Sequence, residues 1–339
     1  MIDQQQQDRQ TLVKRLALSI ANCSEVKLAV TDSAHCCNKI VSAQEYLGKQ
    51  YRQSPEPWAG DLLKSPILFI ASNPSISESS LNGEDYPKTN YENSESTHPL
   101  WPDSRIIEFH TERFNQSRDV PFVNSNAQFF CVDGSYRGSD RSKAGKGSQT
   151  YWRNAFAETK FLLDREIDIS ADVCLTEIVH CKTKKETDKS GRSVGLDSAM
   201  KLCAEKYLEK ILRLSGSVVI VLTGKVARDA AEMADTWLPT SEITWDIDWT
   251  KFGKFPRKGS RAEFHLGTCK VGQSTKIVCA MRHLSNGYGF GSFRGALGVA
   301  TASKLAQLTR SILAKENEVP SSRNELLFAL ALKAEIQSS

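Results

Sequence analysis

Four short stretches of the chain carry apolar runs too brief for buried helices: Ile67–Ala71 (ILFIA), 171–180 (ADVCLTEIVH), 217–224 (SVVIVLTG) and 276–281 (KIVCAM). Ile and Val recur in them, so each is expected to be a strand buried on both faces. Helical patterns fall between and around them. Residues 9–22 place Leu12, Leu16 and Ile20 at helical intervals, and helices are also expected at 151–164, 196–214, 224–234, 298–315 and 323–336, with a helical stretch near 104–114. Strands that alternate with helices predict an α/β fold, a three-layer α/β/α arrangement around a central, mostly parallel four-stranded sheet. Residues 1–65 are expected to form an N-terminal helix and a cysteine-bearing segment packed on the core. Residues 66–316 form the α/β domain, and 317–339 a C-terminal helix.

Parallel strands would bring their polar ends to one edge, where ligands bind in open α/β sheets. Ser72-Asn73 follows the first strand, Glu177 to Cys181 close the second, and His283-Leu284-Ser285 follow the fourth. An asparagine, a carboxylate and a histidine on one rim suit hydrolysis. Asn73 precedes Pro74, a pairing that also serves as a simple turn or helix cap.

Composition excludes little beyond a membrane protein. Of 339 residues, 40% are hydrophobic and 25% charged, and no apolar run reaches membrane-spanning length. The opening MIDQQQQDRQ is polar and reads as lacking a secretory signal, so nine cysteines are expected in a reducing, cytoplasmic setting as thiols or metal ligands. A net charge of +4 identifies no partner, but two loops concentrate cations. Residues 134–148 carry four cations against one acid, and 251–261 carry five and no acid. Such loops suit sequence-independent contact with phosphates.

In order along the chain, "ILFIASNPS", "LTEIVHC", "CAEKYLEKILRLSGSVVIVLTGKVA" and "MRHLS" resemble the uracil-DNA glycosylase superfamily, most strongly its iron–sulfur branches. Members carry a Gly-x-(Asn/Asp/Ala)-Pro motif after the first strand and a strand close to Thr-Asn-Val-Val-Lys-Cys. A cysteine opening a helix with aromatic-Leu follows, then a strand ending Leu-Gly-x-x-Ala and a His-Pro-Ser motif. The resemblance covers about residues 67–290 and rests on the motifs jointly.

The resemblance implies a monofunctional DNA glycosylase that hydrolyses the bond between a flipped pyrimidine and its sugar, in repair or in defence against modified phage DNA. DNA would be the partner of a monomer near the nucleoid. Asn73 stands where the family holds the attacking water. His283 stands where its histidine stabilises the departing base. Ser72 and Ser285 flank them as substrate-binding residues, and Tyr86, with Trp101 as rival, falls near the stacking aromatic. Arg282, Leu284, Tyr288 and Arg294 would belong to the DNA-contacting loop, with Leu284 or Tyr288 as the wedge that fills the vacated stack.

Three departures qualify the match. "HLS" replaces His-Pro-Ser, "ASNPS" lacks flanking glycines, and Glu177 replaces the asparagine that reads uracil. A carboxylate offers only acceptors, so Glu177 facing the pocket would suit the N4 amino group of a cytosine derivative. The other readings of Glu177 are a protonated carboxyl, or one turned to a cation or a backbone amide. These departures motivate an alternative, a non-catalytic DNA-binding module of the same fold. A hydrolase of free nucleotides or nucleosides is a third reading. No lysine stands out as a Schiff-base nucleophile.

Cys181 and Cys203 lie where the iron–sulfur branch places its last two cluster ligands, with 21 residues between them. The branch takes its first two from the N-terminal region, usually as Cys-x-x-Cys, a motif this chain lacks. Here they would come from Cys23 and Cys37, with Cys36 an alternative to either, and buried unliganded thiols are the competing reading. Four thiolates suit a 4Fe-4S cluster or, by ligand type alone, zinc. Cys131, Cys174, Cys269 and Cys279 read as ordinary core residues.

Overall fold

The computed structural model describes residues 2–43, 51–72, 74, 88–90, 102–111, 129–130, 136–137, 150–182, 196–224, 243–247, 265–281, 283–284 and 291–335. The described strands are β1 (Tyr51–Gln53), β2 (Trp58–Ala59), β3 (Ile67–Ala71), β4 (Lys88–Asn90), β5 (Phe129–Phe130), β6 (Tyr136–Arg137), β7 (Val173–Glu177), β8 (Val219–Thr223), β9 (Ile243–Ile247), β10 (His265–Val271) and β11 (Ser274–Met281). The helices are α1 (Ile2–Ala21), α2 (Ser24–Thr31), α3 (Asn38–Ser42), α4 (Asp103–Thr111), α5 (Thr150–Leu163), α6 (Leu196–Cys203), α7 (Glu209–Leu214), α8 (Phe293–Leu297), α9 (Val299–Leu313) and α10 (Arg323–Glu335). One π-helical turn, Ala204–Leu208, joins α6 to α7.

The fold is α/β, but its main sheet is mixed and has seven strands, in the order β2-β7-β3-β8-β11-β10-β9. The expected four-stranded, mostly parallel sheet is corrected in both number and direction. All four expected strands are present, and β3, β8 and β11 do run parallel. The difference comes chiefly from residues 235–275, which supply two antiparallel strands. β10 pairs antiparallel with both β11 and β9. Gly272 and Gln273 connect β10 to β11 in a two-residue hairpin turn, and Gly272 takes φ +59, a conformation that favours glycine. Every residue of β3, β7 and β8 is buried, as expected of strands covered on both faces.

The chain divides into two compact units. The first comprises residues 1–60, 72–148 and 176–214. There α1 buries Val13, Leu16, Ala17, Ile20 and Ala21, an i, i+3, i+4, i+7, i+8 stripe, while Leu12 is exposed. The expected stripe through Leu12 is therefore rotated by one residue. In the expected cysteine-bearing segment, residues 23–43 form α2 and α3 around a tight turn.

The second unit comprises residues 61–71, 149–175 and 215–339. Its core is built on β3, β8 and β11, with α5 and α9 packed together and α10 against β10. The two terminal helices fall close to where periodicity places them. The expected helix at 224–234 lies outside the described residues beyond Gly224. No helix among the described residues is long and apolar enough to cross a membrane.

Candidate functional site

In the first unit, Cys23, Cys36, Cys37, Cys181 and Cys203 share one electrostatic neighbourhood. They come from four stretches of chain, each with its own local cause. Cys23 follows the end of α1, where its N–H donates to the Ile20 carbonyl (3.1 Å) and the Ser54 hydroxyl donates to the Ala21 carbonyl (2.6 Å). Cys36 and Cys37 sit on a turn started by Asp32, whose carboxylate accepts from the Ala34 N–H at 2.8 Å, an Asx-type turn. The Asn38 side chain donates to the Ala29 carbonyl at 2.7 Å and ties this turn to α2. Cys203 ends α6, and the π turn opens immediately after it. Turns of this kind often accompany functional sites. Here the turn leaves Tyr207 and Leu208 both buried.

The segment bearing Cys181 is anchored by backbone and buried charge. The Glu56 N–H donates to the His180 carbonyl (2.9 Å), and His180 Nδ1 meets the Glu56 carbonyl (2.8 Å). Burial pushes the His180 imidazole down to about 4, so the ring is neutral and donates through Nδ1. Its ring stands nearly perpendicular to that of Tyr207 with centroids 5.5 Å apart, and the Tyr207 hydroxyl donates to the Ser19 carbonyl at 3.1 Å. Next to Cys181, Lys182 Nζ lies 2.7 Å from Glu56 Oε2, with both side chains almost fully buried.

Burial raises the thiols of Cys37, Cys181 and Cys203, and neighbouring thiols raise each of them further. Cys203 is pushed up to about 12, while a hydrogen bond from the His180 N–H acts in the opposite sense. A bound metal cation reverses this preference, because coordination deprotonates the thiol. The sulfurs of Cys36 and Cys37 lie 3.9 Å apart. With His35 they offer ligand atoms that all fall within 4.8 Å of one another. Several cysteines are thus placed to hold a metal, and the donor set fits one that prefers thiolate. All four thiols expected from sequence belong to this group. Cys36 is a fifth member, half-buried where Cys37 is buried.

In the second unit, His283 follows β11 and is held from two sides. Its ring centroid is 4.9 Å from that of Tyr151, tilted by 52°. The Tyr151 hydroxyl is 3.0 Å from Thr223 Oγ1, and the Thr223 hydroxyl reaches the Ile70 carbonyl at 3.4 Å. β3 and β8 are parallel, so these contacts sit at their carboxyl-terminal edge. Gly224, with φ +65, lies directly against the imidazole. The Asn154 side chain donates to the Leu284 carbonyl and fixes the residue after the histidine.

The remaining sequence-derived residues divide as follows. Ser72 is buried in the first unit, with its carbonyl accepting from the Val179 N–H at 2.9 Å, and Glu177 is buried at the end of β7. Leu284, expected with Tyr288 as a candidate wedge, is fully buried. Arg294 is exposed at the start of α8, its guanidinium 4.7 Å from the centre of the Phe161 ring. Asn73, Tyr86, Trp101, Arg282, Ser285 and Tyr288 lie outside the described residues, as do Cys131, the cationic loop 251–261 and most of 134–148. Cys174, Cys269 and Cys279 are buried in strands, as read from the sequence.

Sequence reasoning missed Tyr151, Asn154, Thr223 and Gly224 around the histidine, and Glu25, His35, Lys206 and Tyr207 around the thiols. Two of these carried a signal: Tyr207, in the aromatic-Leu pair that follows Cys203, and Gly224, in the Gly-x-x-Ala that ends the strand motif. No family model matches the chain, and no curated protein matches it.

Proposed function

We propose that this protein is a monofunctional DNA glycosylase that hydrolyses the glycosidic bond of a flipped pyrimidine, with thiolates from its N-terminal segment and from residues 181–203 holding a 4Fe-4S cluster. The observation that carries the reading is the gathering of the thiols. The resemblance to the iron–sulfur branch points to Cys181 and Cys203 and leaves Cys23, Cys36 and Cys37 as candidates for the other two ligands. These five of nine cysteines share one neighbourhood in the fold. When bound, the cluster supplies a cross-link between the segments that carry its ligands.

The chemistry asks two things of the protein. Breaking the bond leaves an oxocarbenium-like sugar and an electron-rich base. His283 stabilises that base as negative charge develops on it, and the Tyr151 ring and Gly224 fix the imidazole in place beforehand. Asn73 holds the water that attacks the sugar. Glu177 accepts from an exocyclic amino group, which favours a cytosine derivative over uracil. Exposed Arg294 and the cationic loops contact the DNA backbone.

The motif departures support one competing reading, a DNA-binding module that has lost the reaction. Oligonucleotides bearing a single uracil, hypoxanthine, 5-hydroxymethylcytosine or glucosylated hydroxymethylcytosine separate the two after incubation and alkali treatment. Strand cleavage at a cytosine derivative alone makes Glu177 the selectivity residue, and cleavage at uracil retires that role. Binding without cleavage at any base supports the module.

A further inference from the structure

We infer that Glu25, His35 and Lys206 form a polar strap that holds the cysteine-bearing segments around the metal, with His35 a positioning residue and not a ligand. The inference rests on the metal centre proposed above and concerns residues that the resemblance does not assign.

The contacts form a continuous path. Lys206 Nζ is 2.6 Å from Glu25 Oε1 and donates to Ser24 Oγ at 3.1 Å. The other carboxylate oxygen, Glu25 Oε2, is 3.2 Å from His35 Nε2. On the far side of the ring, His35 Nδ1 accepts the Cys37 N–H at 3.1 Å. Lys206 lies three residues after Cys203, Glu25 two after Cys23, and His35 directly before Cys36. One path of three side chains thus joins the three segments that carry four of the five thiols. A second tie, from the Ser198 hydroxyl to the Cys36 carbonyl at 3.3 Å, parallels it.

Both ring nitrogens of His35 are already committed. Nδ1 is an acceptor for a backbone N–H, so the neutral ring carries its proton on Nε2 and donates it to Glu25. A metal bound at Nδ1 would displace the Cys37 N–H, and one at Nε2 would displace the carboxylate. Outer partners of this kind orient metal ligands, and their loss typically lowers metal affinity about 10–100-fold.

The test uses the full chain reconstituted anaerobically with ferrous iron and sulfide, or with zinc. It compares wild type with Glu25→Gln, His35→Ala, Lys206→Met, Lys206→Arg and the ligand variant Cys203→Ala. Metal and sulfide content, the visible charge-transfer spectrum and the rate of release to a chelator are read in parallel with circular dichroism. Glu25→Gln, His35→Ala and Lys206→Met are expected to retain the wild-type stoichiometry and spectrum but to release metal roughly 10-fold faster. Lys206→Arg is expected to restore slow release.

Release at the wild-type rate from all three strap variants overturns the strap alone. Loss of metal or a changed spectrum in His35→Ala, matching Cys203→Ala, makes His35 a ligand and overturns its positioning role. A wild-type chain that takes up neither iron nor zinc overturns the metal centre and the strap together. Glu25→Gln and Lys206→Met cut the same link from opposite ends, so a folding failure in one leaves the other decisive.

Discussion

Gly224 and His283 are packed so closely that a Cβ on the glycine would stand 2.9 Å from His283 Cδ2 and 3.1 Å from His283 Cβ. Gly224 also takes φ +65, where an L side chain is strained. Gly224→Ala is therefore expected to cost about 1–2 kcal/mol from the backbone alone. It should also push the imidazole from its place and slow base excision by at least about 10-fold. A thermal melt and a single-turnover excision rate measure the two effects separately. An unchanged rate in a folded variant would remove His283 from the chemistry.

Tyr151 supports the same histidine through its ring and through its hydroxyl, and the two contributions can be separated. Tyr151→Phe keeps the ring beside His283 and loses the hydrogen bond with Thr223, a change expected to cost about 1 kcal/mol with excision little altered. Tyr151→Ala removes both and should slow excision markedly. Equally slowed rates in the two variants would place the hydroxyl, and not the ring, in the supporting role, and wild-type rates in both would remove Tyr151 from it.

Lys182 and Glu56 form an ion pair of 2.7 Å with both side chains almost fully buried. Removing one partner from such a pair typically costs about 3–5 kcal/mol, because a charge stays behind in a poorly solvated place. Lys182→Met is expected to lose stability in that range by urea denaturation. The double variant Lys182→Met/Glu56→Leu should recover much of it. Additive losses would show that neighbouring groups, rather than the pair itself, govern the effect.

Glu158 gives a pH signature. Burial raises its carboxyl above the ordinary value of 4.5, and the N–H donated by Phe293 at 2.7 Å only partly opposes the shift. The folded state then holds a proton that the unfolded chain has released. Stability contributed by this group is present below pH 4.5 and is lost as pH rises through the raised folded value. Glu158→Gln keeps an acceptor for Phe293 and abolishes the titration. Urea midpoints compared between pH 4 and pH 7 should fall more steeply for wild type than for the variant, and parallel slopes would contradict the shift.

The parts of this fold that were legible in the sequence are those whose side chains all face one environment. β3, β7, β8 and β11 are buried runs and could be read as strands directly. β9 and β10 could not. β9 alternates buried ends with exposed Thr244 and Asp246, and β10 carries Gly267 in its middle. That glycine looks like a loop residue, yet a Cβ there would stand 2.3 Å from the Asp246 carbonyl oxygen on the neighbouring strand. Its place in the sheet is set by close strand approach, which no local pattern records.

The candidate sites follow the same division. Cysteines announce themselves, so the thiols were found, but the adjacent Cys36 and Cys37 offer no spacing by which to choose between them. Glu25 and Lys206 are ordinary charged residues 181 positions apart, and only the fold shows that they meet. Leu284 is buried although its neighbours in sequence are polar and glycine-rich, so no local pattern records its burial.

Base release and DNA affinity measured side by side for wild type, Asn73→Ala and His283→Ala test the central claim most directly. On an oligonucleotide carrying the preferred pyrimidine, wild type should produce alkali-sensitive abasic sites. Both variants should still bind the DNA, and His283→Ala should lose roughly 100-fold or more in rate, as expected for removal of a group that stabilises developing negative charge. Wild-type protein that binds every oligonucleotide and releases no base, or variants that cleave at the wild-type rate, would contradict the account.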